Sequence, residues 1–115
     1  MTTHELIVKV KEVLEGNGFE ATQYFDHFVQ ASKDGKAWKE EVKGYDFTRL
    51  YGYTVDVQEV HRSNGTEENK SVDISIYHWE ASSGKRVAKE RLNVNFSEKQ
   101  ISNRVNKIVE QYNNL

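Results

Sequence analysis

Three stretches decide the fold of this chain: Tyr51-Gly52-Tyr53-Thr54-Val55-Asp56-Val57, Val72-Asp73-Ile74-Ser75-Ile76-Tyr77-His78-Trp79 and Ala88-Lys89-Glu90-Arg91-Leu92-Asn93-Val94. Each alternates apolar and polar residues, the period of a strand with one buried face. In the first, Tyr51, Tyr53, Val55 and Val57 share one face and Thr54, Asp56 and Gln58 the other. Val60 interrupts the alternation, as a bulge or an outward apolar spot would. In the second, Val72, Ile74 and Ile76 oppose Asp73, Ser75, Tyr77 and Trp79. In the third, Ala88, Leu92, Val94 and Phe96 point inward, and Val87, Lys89, Arg91, Asn93 and Asn95 outward. A loop from Asn64-Gly65 to Asn69 and a turn at Ser82-Ser83-Gly84 join them into a three-stranded antiparallel meander. The apolar sets stay together only if even positions of the second strand face even positions of the third. The predicted register therefore sets Ile74 against Leu92 and Val72 against Val94.

An amphipathic helix flanks the meander on each side. Thr2 and Glu5 form a capping box, Leu6, Ile7, Val10, Val13 and Leu14 a helical stripe, and Gly16-Asn17-Gly18 the stop. At the other end Ser97 and Gln100 cap a helix whose stripe is Ile101, Val105, Ile108, Val109 and Tyr112. Residues 19–48 read two ways. Ala21, Tyr24, Phe25, Phe28 and Val29 fit a helix over about 21–32, the preferred reading, whereas Phe25, Val29 and Ala31 also alternate, with a turn signal at Asp34-Gly35 and Trp38 beyond it. The expectation is one α+β domain over residues 1–115: a helix, a segment that is helix or hairpin, the meander, and a C-terminal helix, with the helices on one sheet face.

The helix–three strands–helix order resembles that of double-stranded RNA-binding domains. The last helix, however, opens Ser97-Glu98-Lys99-Gln100 without the clustered lysines of that family, and residues 18–50 exceed its compact form. No binding residue carries over.

The chain has 16 Lys+Arg against 18 Asp+Glu, which lacks the basic excess of a duplex binder. Cysteine is absent, so disulfides, thiolate nucleophiles and cysteine-ligated metals are excluded. Met1–Leu6 has no basic-then-apolar secretory pattern, and no apolar run approaches the roughly 20 residues that span a bilayer. A cytoplasmic protein without membrane contact is expected, and the triplets at Asn64, Asn69 and Asn95 are then chance matches to the glycosylation signal.

Catalytic signals are sparse. His4, His27, His61 and His78 lack metal-ligand spacing, and Ser82 and Ser83 lack the G-x-S-x-G frame. Glu59 with His78 could form an acid–base pair at the sheet end, though a structural hydrogen bond is the simpler role. No enzyme activity, cofactor or metal is expected.

The candidate site is the outer sheet face. The predicted register sets Tyr77 opposite Lys89, Trp79 opposite Val87 and Ser75 opposite Arg91, with Asn93 and Asn95 continuing the surface and Arg62 at its edge. Tyr77, Trp79, Lys89, Arg91, Asn93 and Arg62 suit a protein partner, since Trp, Tyr and Arg dominate interface energetics. A small acidic interaction module is the expected function, of the inhibitor, immunity or mobile-element accessory kind. Single-stranded nucleic acid is the alternative, with rings stacking bases and cations meeting phosphates, although Asp56 and Asp73 on that face oppose a polyanion. A third outcome is that aromatic residues of 19–48 cover the face and seal Trp79. Oligomeric state is open.

Overall fold

The computed structural model describes residues 1–25, 27–60 and 71–115. The loop expected at Asn64–Asn69, His61 and the candidate Arg62 lie outside the described residues. In chain order the elements are α1 (Thr3–Gly16), β1 (Glu20–Tyr24), β2 (Phe28–Ser32), β3 (Ala37–Glu41), β4 (Thr48–Glu59), β5 (Ser71–Glu80), β6 (Ser83–Asn93) and α2 (Glu98–Asn113). They form an antiparallel sheet of order β1-β2-β4-β5-β6, with β3 paired to the free end of β4. The α+β class, both helices and the β4-β5-β6 meander are as expected.

Residues 19–48 resolve as strands, which corrects the preferred helix over 21–32. The helical spacing of Ala21, Tyr24, Phe25, Phe28 and Val29 mixes two populations. Ala21 and Val29 turn toward the core, whereas Tyr24 and Phe25 are exposed at the β1–β2 turn, Phe25 at 83%. The Asp34-Gly35 turn exists, with both residues at positive φ, but β2 and β3 do not pair with each other. They lie end to end along β4: Ala31 pairs with Val55 and Ala37 with Gly52, so the five residues 32–36 oppose only 53 and 54. Gly52 is required at this break. Its φ is 88°, and a Cβ there would lie 2.1 Å from the Lys36 carbonyl oxygen, which accepts the Tyr53 N–H. The six-stranded sheet of the described residues also ends the topological likeness to double-stranded RNA-binding domains, because three of its strands precede the meander.

The β5–β6 register differs from expectation in an informative way. The turn is Ala81-Ser82, with φ of 51° and 68°, and Glu80 pairs with Ser83. Positive φ at both positions is the primed geometry that suits a twisted two-residue hairpin. That turn alone would set Tyr77 opposite Arg86 and carry odd against even along the whole strand, driving the apolar sets apart. An irregularity between Ile76 and Tyr77, where Val87 is the extra residue, restores the parity. Ile76 then pairs with Ala88, Ile74 with Glu90 and Val72 with Leu92, instead of Ile74 with Leu92 and Val72 with Val94.

Both helices cover one sheet face. Leu6, Ile7, Val10 and Leu14 of α1 and Ile101, Val105, Ile108, Val109 and Tyr112 of α2 meet Val29, Ala31, Val55, Val57, Val72, Ile74, Ile76 and Leu92 in one hydrophobic cluster. Fully burying one such aliphatic chain contributes roughly 1.5–3 kcal/mol. Each predicted capping box is present, with Thr2 Oγ1 accepting from Glu5 N–H at 3.1 Å and Ser97 Oγ from Gln100 N–H at 3.2 Å. Glu90, at the β6 end of this face, accepts from Arg104 at 3.1 Å and so ties α2 to the sheet edge.

The loop between β2 and β3 grips the ends of both helices. Lys33 Nζ donates to the Asn17 carbonyl at the end of α1, at 3.1 Å, and Lys36 Nζ to the Tyr112 and Asn113 carbonyls of α2, at 2.8 and 3.2 Å. Carbonyls at a helix C-terminus lack intrahelical partners and carry partial negative charge, so a lysine there satisfies both needs. The buried Tyr112 hydroxyl donates to the Tyr53 carbonyl at 2.8 Å and accepts from Lys33 N–H at 3.3 Å, and burial raises its pKa. Among the described residues no helix is long and apolar enough to cross a membrane.

Candidate functional site

Strand alternation places the polar residues of β2, β4 and β5 on the face away from the helices, and the register arranges them in rows. Thr22, Gln30, Asp56, Ser75 and Lys89 line up from β1 to β6, flanked on one side by Tyr24, Phe28, Gln58, Asp73 and Arg91. On the other side Thr54, Tyr77 and Arg86 form a row, beyond which Trp79 lies between Gly52 and Gly84. The expected site residues Tyr77, Trp79, Lys89, Arg91 and Asn93 therefore share this face. Their neighbours differ: Tyr77 faces Arg86, Trp79 faces Gly84, Ser75 faces Lys89 and Asp73 faces Arg91. The two-residue turn and the extra Val87 account for every change.

The described residues of segment 19–48 do not roof this face; their strands extend the sheet sideways. Even so, Thr54, Asp56, Asp73 and Ser75 are buried, Asp56 at 4% exposure. Their neighbours shield them through a polar chain. Trp79 Nε1–H donates to Thr54 Oγ1 at 2.7 Å, the Thr54 hydroxyl donates to Asp56 Oδ1 at 2.7 Å, and Gln30 Nε2 donates to the same carboxylate at 3.3 and 3.5 Å. Burial raises the Asp56 pKa, and the hydrogen bonds from Thr54 and Gln30 oppose that shift. Trp79 lies across Gly84, where a Cβ would come within 2.6 Å of its ring. The indole is thus half-buried and built into the face.

Charge is distributed unevenly. Asp73 is neutralised by Arg91, with Nε to Oδ1 at 2.9 Å and Nη2 to Oδ2 at 3.3 Å, an interaction that raises the guanidinium pKa further. Arg91 therefore serves an internal ion pair as well as the surface. Asn93 Oδ1 accepts from Asn95 N–H at 2.9 Å and shapes the exit from β6. Lys89 and Arg86 are exposed, and the Arg86 guanidinium sits 5.7 Å from the Tyr77 ring centre, a cation–π distance. Arg86 escaped the sequence reading because alternation from Ala88 turns it inward, whereas the two-residue turn and the extra Val87 set it outward beside Tyr77.

The structure keeps Glu59 and His78 apart. Glu59 pairs with Val72 and accepts from the Thr3 hydroxyl at 2.7 Å, whereas His78 pairs with Tyr53 at the other end of β5 and stacks on its ring at 4.6 Å. The suggested acid–base pair is not formed. A further aromatic group lies on the β3–β4 arm: Trp38, 55% exposed, stacks on Tyr51 at 5.9 Å with the planes 10° apart, and Tyr45 and Phe47 are exposed near the tip. The sequence reading placed Trp38 beyond a turn without assigning it a role. Comparison with protein-family models, curated proteins and solved structures finds no match for this chain.

Proposed function

We propose that the chain is a non-enzymatic interaction module that captures an acidic surface of a larger protein through the β5–β6 half of the outer face. The single observation that carries this reading is a sheet face that no helix of the described residues covers, where Tyr77 and Trp79 adjoin the exposed cations Arg86 and Lys89. Aromatic rings held in place lose little entropy on binding, and a cationic rim steers an acidic partner. Two of the acidic groups on the face are withdrawn from the surface: Asp73 into its ion pair with Arg91 and Asp56 into the buried hydrogen-bond chain.

A photo-crosslinking amino acid at Lys89 on β6, compared with one at the exposed Glu12 on α1, tests this in producing cells. The expected result is a discrete protein adduct from position 89 alone, lost on Arg86→Glu. Equal labelling from both positions would overturn the interface. Salt-sensitive binding of labelled single-stranded oligonucleotides, abolished by the same charge reversal, would replace the protein partner with nucleic acid.

A further inference from the structure

The sheet has a free edge at β3. Among the described residues β3 pairs only with β4, and β1, which covers the edge of β2, has no counterpart beside Ala37–Glu41. Two hydrogen bonds fix the direction of the β3 backbone groups. Val42 N–H donates to the Phe47 carbonyl at 3.2 Å, and the Lys36 carbonyl accepts from Tyr53 N–H at 2.6 Å. Alternate residues of an antiparallel ladder turn their N–H and C=O to the same side, so Trp38 and Glu40 serve β4 as well. Ala37, Lys39 and Glu41 therefore turn theirs to the open side. An edge of this kind is a template for another strand.

The side chains along the edge specify what that strand is. Trp38, Lys39, Glu40 and Glu41 are all exposed, Trp38 at 55% although Tyr51 stacks on its indole. Set antiparallel to itself about a two-fold axis at Glu40, the segment places Lys39 opposite Glu41 twice, in hydrogen-bonded pairs, and Trp38 opposite Val42 twice. Glu40 meets itself at the axis, where each carboxylate has Arg49 of its own chain as cross-strand neighbour on β4. An axis at Lys39 or Glu41 would set a like charge against itself in a hydrogen-bonded pair. One at Trp38 would run the pairing into the Asp34-Gly35 turn. The opposite edge lacks this self-complementarity: Lys85, Arg86 and Lys89 are exposed on β6, whereas Glu90 is tied to Arg104.

We propose that two copies of the chain dimerise by antiparallel pairing of β3 with β3, centred on Glu40. Lys39 of each copy exchanges backbone hydrogen bonds with Glu41 of the other, and the opposite charges hold the register. Because the paired strands run in opposite directions, the two bodies lie at opposite ends of the joined arms and do not compete for space. The two-fold axis stands normal to the sheet, so both outer faces look the same way. The paired segment is short, and the dimer is accordingly weak and concentration-dependent. The contact shares no residue with Arg86 or Lys89, so it stands or falls independently of the protein interface proposed above.

Sedimentation velocity of the full chain from micromolar to millimolar concentration should show a reversible monomer–dimer equilibrium. Lys39→Glu and Glu41→Lys should each weaken it roughly tenfold, because like charges then meet at both symmetry-related pairs. Combining the two reversals should restore it, and Arg86→Glu should leave it unchanged. Lys39→Pro removes an edge N–H that β4 does not use and should abolish the dimer. Thermal melting reports whether that variant stays folded; if it does not, the charge reversals decide the matter. The chain has no cysteine, so single-cysteine variants read the register directly. Glu40→Cys should give a disulfide-linked dimer on mild oxidation, whereas Glu12→Cys on the exposed face of α1 should not. A monomer at every concentration, association unaffected by Lys39→Glu and Glu41→Lys, or equal cross-linking from positions 12 and 40 would overturn the proposal.

Discussion

Ile74 and Ser75 are neighbours on β5, both almost without solvent exposure, and they face opposite ways. Ile74 sits in the cluster beneath the two helices, whereas Ser75 lies in a polar row on the face turned away from them. The two sides exclude water by different means. One uses apolar area against a second layer; the other uses hydrogen bonds among side chains of the same sheet. The contrast separates burial from hydrophobicity: Asp56 is nearly as inaccessible as Val57, yet the energetics of the two positions have little in common.

Mutations can break or sharpen this contrast. The largest effect is expected from Ile74→Ala, which leaves a cavity under both helices and should cost about 2–5 kcal/mol in urea unfolding. Thr54→Val keeps the shape but deprives the Trp79 indole of its acceptor and Asp56 of its closest donor. A loss of about 1–3 kcal/mol is expected, with a shift in tryptophan emission that Ile74→Ala has no direct reason to produce. If Thr54→Val proved neutral, the polar chain would be incidental to stability.

Asp56→Asn probes the same chain through pH. Burial raises the folded-state pKa of Asp56, so the folded protein binds this proton more tightly than the unfolded chain. Stability from this group is therefore present at low pH and is lost as pH rises through the raised pKa. Asparagine keeps an acceptor for Thr54 without the buried charge. Unfolding curves across a pH series should show wild type losing ground to Asp56→Asn as pH rises; a difference independent of pH would contradict the burial argument. The smallest effect is expected from Ser75→Ala. The Ser75 hydroxyl is buried without a protein hydrogen-bond partner among the described residues, so its removal should change stability by no more than about 0.5 kcal/mol, in either direction.

What was legible in the sequence follows from which features are local. Capping boxes involve residues three apart, and strand faces follow from alternation, so α1, α2, the inward valines and isoleucines, and the common face of Tyr77, Trp79, Lys89 and Arg91 could all be read directly. The short strands could not. Each of β1, β2 and β3 has five residues, too few to distinguish a period of two from 3.6 when exposed aromatics such as Tyr24 and Phe25 are interspersed. The pairing partners on the outer face also escaped, because they depend on the two-residue turn at Ala81-Ser82 and on an irregularity at Val87 that no alternation announces.

The tetrad Lys33-Asp34-Gly35-Lys36 has a mechanical consequence. These residues lie within the offset of the sheet and supply an ammonium clamp to the tail of each helix, while the Lys36 carbonyl holds Tyr53 directly. The projecting β3–β4 arm is thereby geared to both helices, and a force that tilts the arm is transmitted to the far layer through two lysines instead of dissipating in a slack connection.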